Sequence, residues 1–489
     1  MPISVDRSAA ETLQDQIFDK IKCLILSHKL KPGSKLPASR QLAIQLDISR
    51  NTVTLAYDRL AADGYVVSRP AAGNFVAYPV TEVASLAGGR GSAAPAQLRA
   101  PAFLGRSFPP TPRFDIDFGL RAVGHDDFPI KQWRRRIDSL LCHHDGRIGQ
   151  NPPPGGEPRL RRALADWLAK DRGLTCDPDE VLVVSGCQQA YTVATQILIR
   201  PGDRVVVEAP AHLAATLVFE AMGAELVHVP VDEHGLMVDA LPDGPAALVY
   251  LTPSHQNPVG GILPLDRRLR LIEWAHGAGA CIFEDDCNGE QALCWNGRPV
   301  PSLKALDPHG LVIYAGTFTK TLGAGLRLGY MVLPPDLVVT GRSVKQLMDG
   351  GNPWLEQMAL AGLIESGAYA AYLQDLGRLW RARRQCLIDE MRQAFGSLSL
   401  LGTQSGTHVT WLLPDDLPDA SVLAEAAAAV GIGVFAIPQL GRASATPPLY
   451  ADRALYLNYS ALSEDNIRKG IGILAGIIRV SPRAYSKAC

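Results

Sequence analysis

Covalent and metal staples are missing from this sequence. Its nine cysteines are odd in number and form no CxxC pair, so neither a disulfide framework nor a metal site is expected. A reducing cytoplasm is the expected compartment. Long apolar runs are missing too. None reaches the length that spans a bilayer, and no basic-then-apolar leader precedes Glu11, so no membrane partner is expected. An excess of one charge sign is also lacking. The net charge is −1, which gives the whole chain no bulk attraction to nucleic acid or to a membrane. The balance is mildly uneven, with ten Lys/Arg against seven Asp/Glu in residues 1–80 and 38 against 42 in the rest. That asymmetry alone does not establish DNA binding.

What is present is length and alternation. A chain of 489 residues exceeds one compact core and predicts two or three domains. Residues 8–78 are rich in helix signals. Residues 79–113 contain GGRGSAAPAQLRAPAFLG and FPPTPR and read as a linker. Residues 114–489 mix short apolar runs with helical stretches. The runs are VLVVSG (181–186), RVVVEAP (204–210), AALVYLTP (246–253), ACIFEDD (280–286) and GLVIYAGT (310–317). Each is apolar throughout and then breaks into polar or small residues, the pattern of buried parallel strands in a helix-covered sheet. In such a sheet the ligand lies beyond the carboxyl ends of the strands, so the residues after each run matter most.

In the first piece, Leu13, Ile17, Ile21 and Leu24/Ile25 form a helical stripe. Pro37 is expected to open a second helix. Ser49 is a good N-cap for a third, Val53, Ala56, Tyr57 and Leu60 mark its buried stripe, and Gly64 suits its end. GYVVSRPAAGNFVAY then reads as a β-hairpin. This is the pattern of a winged helix-turn-helix. Arg50, Asn51, Thr52 and Thr54 lie at the end of the third helix that enters a major groove. Arg and Asn suit bidentate base contacts, and Ser and Thr suit phosphates. The phrases KLPASRQLA and SRNTVTLAYDRLAADGYVVSRP resemble the GntR family of winged-helix regulators. The resemblance implies a double-stranded operator as partner. It places Arg40, Ser49, Arg50, Asn51, Thr52 and Thr54 at the DNA, with Arg69 on the wing. AAGNFV stands where GSGTFV is usual, and Gly73 keeps the bend.

In the large piece one lysine, Lys320, sits among Thr317, Thr319, Thr321, Gly323 and Gly325, with Arg327 seven positions on. An imine-forming amine needs a pocket that tunes its pKa. If its aldehyde partner is pyridoxal phosphate, the phosphate needs hydroxyls, N–H groups at a helix start and an arginine. The pyridine nitrogen needs a carboxylate, and the ring needs a face to lie on. Candidates follow the strand runs: Thr317, Thr319 and Arg327; Gly186, Cys187 and Gln188 in SGCQQA; Asp285 or Asp286 in EDD; His212 after EAP; His255 and Asn257 in TPSHQNPVG.

The order GGEPRLRRALADWL, SGCQQA, PGDRVVVEAP, VYLTPSHQNPVGGILPLDRR, FEDD, YAGTFTKTLGAGLRLGY resembles the fold-type I aminotransferases. Joined to a GntR-type head, it resembles the MocR/GabR-type transcriptional regulators over nearly the whole chain. The resemblance implies an α/β main domain, mostly parallel sheet covered by helices, with a small C-terminal α+β subdomain. It implies pyridoxal 5′-phosphate, with Lys320 as the Schiff-base lysine and Asp285 at the pyridine nitrogen. Asn257 and Cys287 lie at the phenolic oxygen, and His212 takes the place of a stacking tyrosine. Thr317, Thr319, Arg327, Cys187 and Gln188 are at the phosphate. A homodimer is implied as well.

The chain departs from the pattern where it matters for turnover. Cys287 replaces the tyrosine of EDDY. LYLNYS (455–460) stands where LRLGFS is usual, so Tyr456 replaces the arginine that grips a substrate carboxylate. Asn151 stands where a phosphate-reaching tyrosine is expected. The expected effector is therefore an amine without an α-carboxylate, or one held by another cation such as Arg442 or Arg453. A carboxylate buried without a partner is too costly. The reading is a pyridoxal-phosphate-dependent regulator that senses an amine-bearing small molecule. The alternatives are a regulator that has lost the cofactor and an aminotransferase with a fused head.

Overall fold

In the computed structural model, described residues are 3–7, 9, 11–70, 72–77, 114–119, 127–143, 146–287, 289, 300–440 and 448–480. The chain divides into two compact units, residues 1–100 and 101–489. The stretch read as a linker, 79–113, lies outside the described residues.

The first unit is three helices and a hairpin: α1 (Leu13–Leu26), α2 (Ser39–Leu46), α3 (Arg50–Ala62), β1 (Val66–Arg69) and β2 (Gly73–Val76). Ile17, Phe18, Ile21, Leu42, Val53, Ala56, Leu60, Val66 and Val76 close one core. Burying each large aliphatic side chain contributes about 1.5–3 kcal/mol, which lets so small a unit hold together. α2 begins two residues later than the sequence predicts. Lys35 bridges Phe75, and the Leu36 N–H donates to the Asn74 carbonyl at 2.8 Å. The segment is thereby tied to the hairpin, and the helix starts only after an extended Ala38. The Pro37 carbonyl instead accepts from the Tyr57 hydroxyl at 2.9 Å.

The second unit opens with β3 (Ile116–Asp117), α4 (Ile130–Cys142) and α5 (Pro158–Arg172). Its main sheet contains β4 (Val181–Val184), β5 (Arg204–Ala209), β6 (Glu225–Asp232), β7 (Gly235–Leu236), β8 (Leu248–Leu251), β9 (Cys281–Asp285), β10 (Val312–Thr317) and β11 (Gly329–Val332). The order is β4-β11-β10-β9-β8-β5-β6-β7. Neighbours from β10 through β9, β8 and β5 to β6 run parallel. The sheet is mostly parallel, as expected; β11 is the reversed strand, antiparallel to both β10 and β4, so the Val181–Val184 run keeps the direction of β10 although its own ladder is antiparallel. Helices α6 (Cys187–Leu198), α7 (Leu213–Ala221) and α8 (Leu265–Ala278) fill the crossovers, followed by α9 (Pro335–Asp349) and α10 (Trp354–Glu365).

A second, antiparallel sheet has the order β12-β13-β16-β15, from β12 (Ser399–Leu401), β13 (His408–Leu412), β15 (Phe435–Ala436) and β16 (Ala454–Asn458); β14 (Ile432–Gly433) pairs with β3. It packs with α11 (Ala368–Phe395), α12 (Ala420–Ala428) and α13 (Glu464–Val480) around Trp380, Trp411, Leu455 and Ile471. This is the expected small α+β subdomain. No helix among the described residues is long and apolar enough to cross a membrane.

Candidate functional site

Strand alternation separates the two aspartates that the sequence leaves open. Consecutive residues at a strand end point to opposite faces. Asp286 is taken by the scaffold: Arg172, at the end of α5, donates to it at 2.5 Å and the Tyr314 hydroxyl at 2.6 Å, all buried. Asp285 faces the other way. Its Oδ2 accepts from the Tyr191 hydroxyl at 2.5 Å and the Tyr250 hydroxyl at 2.9 Å. Its Oδ1 accepts from the Cys287 N–H at 3.2 Å, and the Cys187 thiol lies 3.7 Å away. Four donors hold one buried carboxylate in place, as a carboxylate serving a cationic ring nitrogen requires. Burial pushes the Cys187 and Cys287 thiols well up, and the Asp285 charge adds to it, so both are neutral thiols at pH 7.

Lys320 follows β10 and is half-buried. Its charge is felt around the pocket. Burial lowers the proton affinity of His212, His255 and His408, and the Lys320 ammonium lowers it further at each. At Cys187 and Cys287 the same ammonium opposes the upward push. The strand that leads to Lys320 lies beside that of Asp285, with Ala315 of β10 paired to Asp285 of β9. His212 is half-buried at the start of α7, its Nδ1 buried without a partner, its ring 6.0 Å from that of Tyr191. Asn257 is buried, and its N–H donates to the Thr252 hydroxyl at 2.9 Å.

The turn between β4 and α6 gathers a helix start, hydroxyls and an arginine. Gly186 has φ 80°, and a Cβ there would lie 3.4 Å from Nη1 of Arg327. Gly329 of β11 is tighter, since a Cβ on it would fall 2.9 Å from the Gly186 Cα, whereas at Gly186 it is the positive φ that calls for glycine. Two glycines therefore let the guanidinium close on the helix start, where Arg327 Nη2 donates to the Ser185 carbonyl at 2.5 Å. Thr317 Oγ accepts from the Thr319 N–H at 3.2 Å and donates to the Thr319 hydroxyl at 2.9 Å. Gln188 is exposed in the first turn of α6. The Cys187 thiol points to Asp285, so only its main-chain N–H is left for the anion. The donor set fits pyridoxal phosphate at each end: an arginine, hydroxyls and a helix start for phosphate, a buried carboxylate for the ring nitrogen, and an amine for the aldehyde.

The wall that carries Tyr456 is polar and uncharged. Tyr456 is buried on β16, its ring 4.2 Å from that of His408 on β13. His408 lies 4.4 Å from the ring of His255. The His255 Nδ1 pairs with the Ser405 hydroxyl at 3.0 Å, and its Nε2 is buried with no partner. Burial pushes His255 down to about 3 and His408 well below its ordinary value, so both are neutral at pH 7. Arg453 is placed elsewhere. Its guanidinium donates to the Leu417 carbonyl at 3.0 Å and to Asp419 at 3.3 Å, and also to Pro414. Arg442 lies outside the described residues.

In the first unit the Ser49 side chain accepts from the Thr52 N–H at 3.1 Å and caps α3, as expected. Arg40, Arg50, Asn51 and Arg69 are exposed. The Arg69 guanidinium sits 4.8 Å over the Phe75 ring of the hairpin. Thr54 is half-buried, and its hydroxyl turns back to the Arg50 carbonyl at 3.0 Å.

Sequence reasoning missed Tyr191, Tyr250 and His408. Tyr191 lies one helical turn after Cys187, a spacing that was available; Tyr250 and His408 sit inside strands with no local signal.

Residues 13–76 match the gntR family of bacterial regulatory proteins, and residues 121–456 match the class I and II aminotransferases. The chain is 32% identical to the probable rhizopine catabolism regulatory protein MocR of Rhizobium meliloti, over 96% of this chain and 94% of that protein. It is 31% identical to an HTH-type transcriptional regulator, YhdI, of Bacillus subtilis, over 96% of each. The kynurenine aminotransferase of Pyrococcus horikoshii, solved with PMP, superposes with a TM-score of 0.68 at 27% identity, covering 76% of this chain and 93% of that one. The second unit is thus a fold-type I aminotransferase domain whose cofactor is pyridoxal 5′-phosphate. The chain belongs to the MocR family, GntR-type DNA-binding regulators fused to an aminotransferase-like domain.

Proposed function

We propose that this regulator senses an amine-bearing small molecule at Lys320 and, as a homodimer, changes its hold on an operator in response. The observation that supports the reading is the buried Asp285 carboxylate, held by Tyr191, Tyr250 and the Cys287 N–H on the strand that pairs with the one leading to Lys320. Pyridoxal phosphate, when bound, supplies an aldehyde that condenses with amines. The chain's part is to place it. Asp285 takes the ring nitrogen and keeps its proton. Arg327, Thr317, Thr319 and the N–H groups at Cys187 and Gln188 take the phosphate. His212 would face the ring, and Asn257 the phenolic oxygen. The Lys320 ε-amine would be the group nearest the aldehyde, where an effector's amine would compete with it.

The effector class follows from the opposite wall. His255, His408 and Tyr456 offer hydrogen bonds and aromatic faces but no positive charge at pH 7. A desolvated carboxylate there would lack a partner, which disfavours ordinary α-amino acids. Cys287 removes a hydroxyl from the pocket as well, so productive turnover is not the expected role. An effector regulates only if it binds two arrangements of the protein differently.

Absorbance of the purified protein beside Lys320→Ala tests the reading. A visible band that disappears in the variant, with borohydride fixing a pyridoxyl group on the Lys320 peptide, supports it. An amine panel with and without α-carboxylates, read by both the band and DNA affinity, then defines the class. No band after pyridoxal phosphate is added would put the cofactor-free regulator in the lead.

A further inference from the structure

The first residues of the chain are built onto the DNA-binding unit. Gln16, buried in α1, exchanges two hydrogen bonds with the main chain of Asp6. Its Nε2 donates to the Asp6 carbonyl and its Oε1 accepts from the Asp6 N–H, both at 2.9 Å. Nε2 also donates to the Glu11 carbonyl at 3.1 Å. Lys20 donates to the Ser4 carbonyl at 2.5 Å. These contacts fix residues 4–6 and deliver the next side chain, Arg7, to the turn between α2 and α3. There the guanidinium donates to the Asp47 carbonyl and, at 2.8 Å, to the Asp47 carboxylate. An open hollow of about 640 Å³ is lined by Arg7, Asp47, Ser49 and Thr52. Ser49 caps the helix whose first turn carries Arg50 and Asn51.

Asp47 is an awkward residue for this place. It is 95% exposed, two positions before the cap of the helix read as the groove-reading one. A bare carboxylate there faces the phosphates of any duplex that α3 enters. Arg7 is 62% exposed and holds Asp47 through only one of its two Nη groups. Other donors of its guanidinium remain able to take a phosphate oxygen.

We infer that Arg7 belongs to the DNA interface: it neutralises Asp47 and contacts a backbone phosphate beside the groove that α3 reads. The contact is sequence-independent and adds about one phosphate per head. It makes the N-terminal arm a functional part of the head.

The test uses full-length protein and a fluorescein-labelled mixed-sequence duplex, with anisotropy read across a series of KCl concentrations. Arg7→Ala is expected to weaken binding by about 3–10-fold at low salt and to lower the slope of log affinity against log salt by ~0.9 per head. Asp47→Asn is expected to strengthen binding by a similar factor. The opposite signs decide the matter. If the pair only staples the turn, both substitutions weaken binding alike and both lower the melting temperature, and the inference fails. An unchanged salt slope in Arg7→Ala also overturns it. Gln16→Ala releases the arm but keeps both charges. It should reproduce part of the Arg7→Ala loss, and binding at wild-type strength would count against the arm's role.

Discussion

The two units use their polar residues in opposite ways. In the head the sequence-predicted DNA contacts are exposed apart from the half-buried Thr52 and Thr54, lie within residues 40–69, and stand on a scaffold fixed by Val53, Ala56, Tyr57 and Leu60. In the large domain the candidate pocket is assembled mostly from buried or half-buried groups, with Gln188 and Arg327 exposed, that come from several strand ends between Cys187 and Tyr456. A surface reader needs its side chains free, and one short segment supplies both frame and function. A pocket must remove its charges from water, so each needs a partner from a distant part of the chain. The head should therefore lose function without losing its fold. The pocket should lose both together.

Removal of the pyridine carboxylate is the strongest way to break that contrast. Asp285→Ala should weaken pyridoxal phosphate binding by about 2–5 kcal/mol and leave the Tyr191 and Tyr250 hydroxyls unpartnered, lowering the melting temperature too. Cofactor titration by absorbance and a thermal melt read the two effects. A variant that loses the cofactor and melts as before would put Asp285 in the surface class.

The head sharpens the contrast from the other side. Arg50→Ala or Asn51→Ala should weaken binding to a selected operator by ~1–3 kcal/mol, with little change in melting temperature. Unchanged operator affinity would remove α3 from the groove.

Acid offers a third probe. Burial pushes His255 down to about 3, so the unfolded chain takes up a proton at this residue that the folded chain does not. Its contribution is intact above the ordinary histidine range and is lost as pH falls from about 6.5 toward 3. His255→Gln should reduce the pH slope of stability by up to ~1.4 kcal/mol per unit in that window. Urea midpoints at pH 4–6 against pH 7.5 measure it. The smallest effect is local: Ser49→Ala removes the cap of α3 and should cost about 1 kcal/mol of head stability, read by melting.

Legibility followed the same division. Ser49 as cap, the α3 stripe and the hairpin could be read from sequence because each depends on neighbours a few residues away. The start of α2 was harder. Pro37 reads as a helix opener, but Lys35 and Leu36 are tied to the wing, which no local pattern shows. In the large domain the strand runs located Cys187, Asp285 and Lys320, because ligand groups follow strand ends. The direction of the Cys187 thiol, the removal of Arg453 from the pocket wall and the donors on Asp285 were not visible.

The sequence by itself determined the order of elements, the winged helix and the candidate positions of Lys320, Arg327 and the Asp285/Asp286 pair, since periodicity and strand-end chemistry are local properties. Only the tertiary structure decided which aspartate faces the pocket. Arg172 and Tyr314 claim Asp286 from the far side of the sheet, while Tyr191 and Tyr250 claim Asp285. It also decided that His255 and His408 are neutral, because burial arises only when β13, β16 and the loop after β8 pack together. Partners for buried charge come from anywhere in the chain, and no local pattern records them.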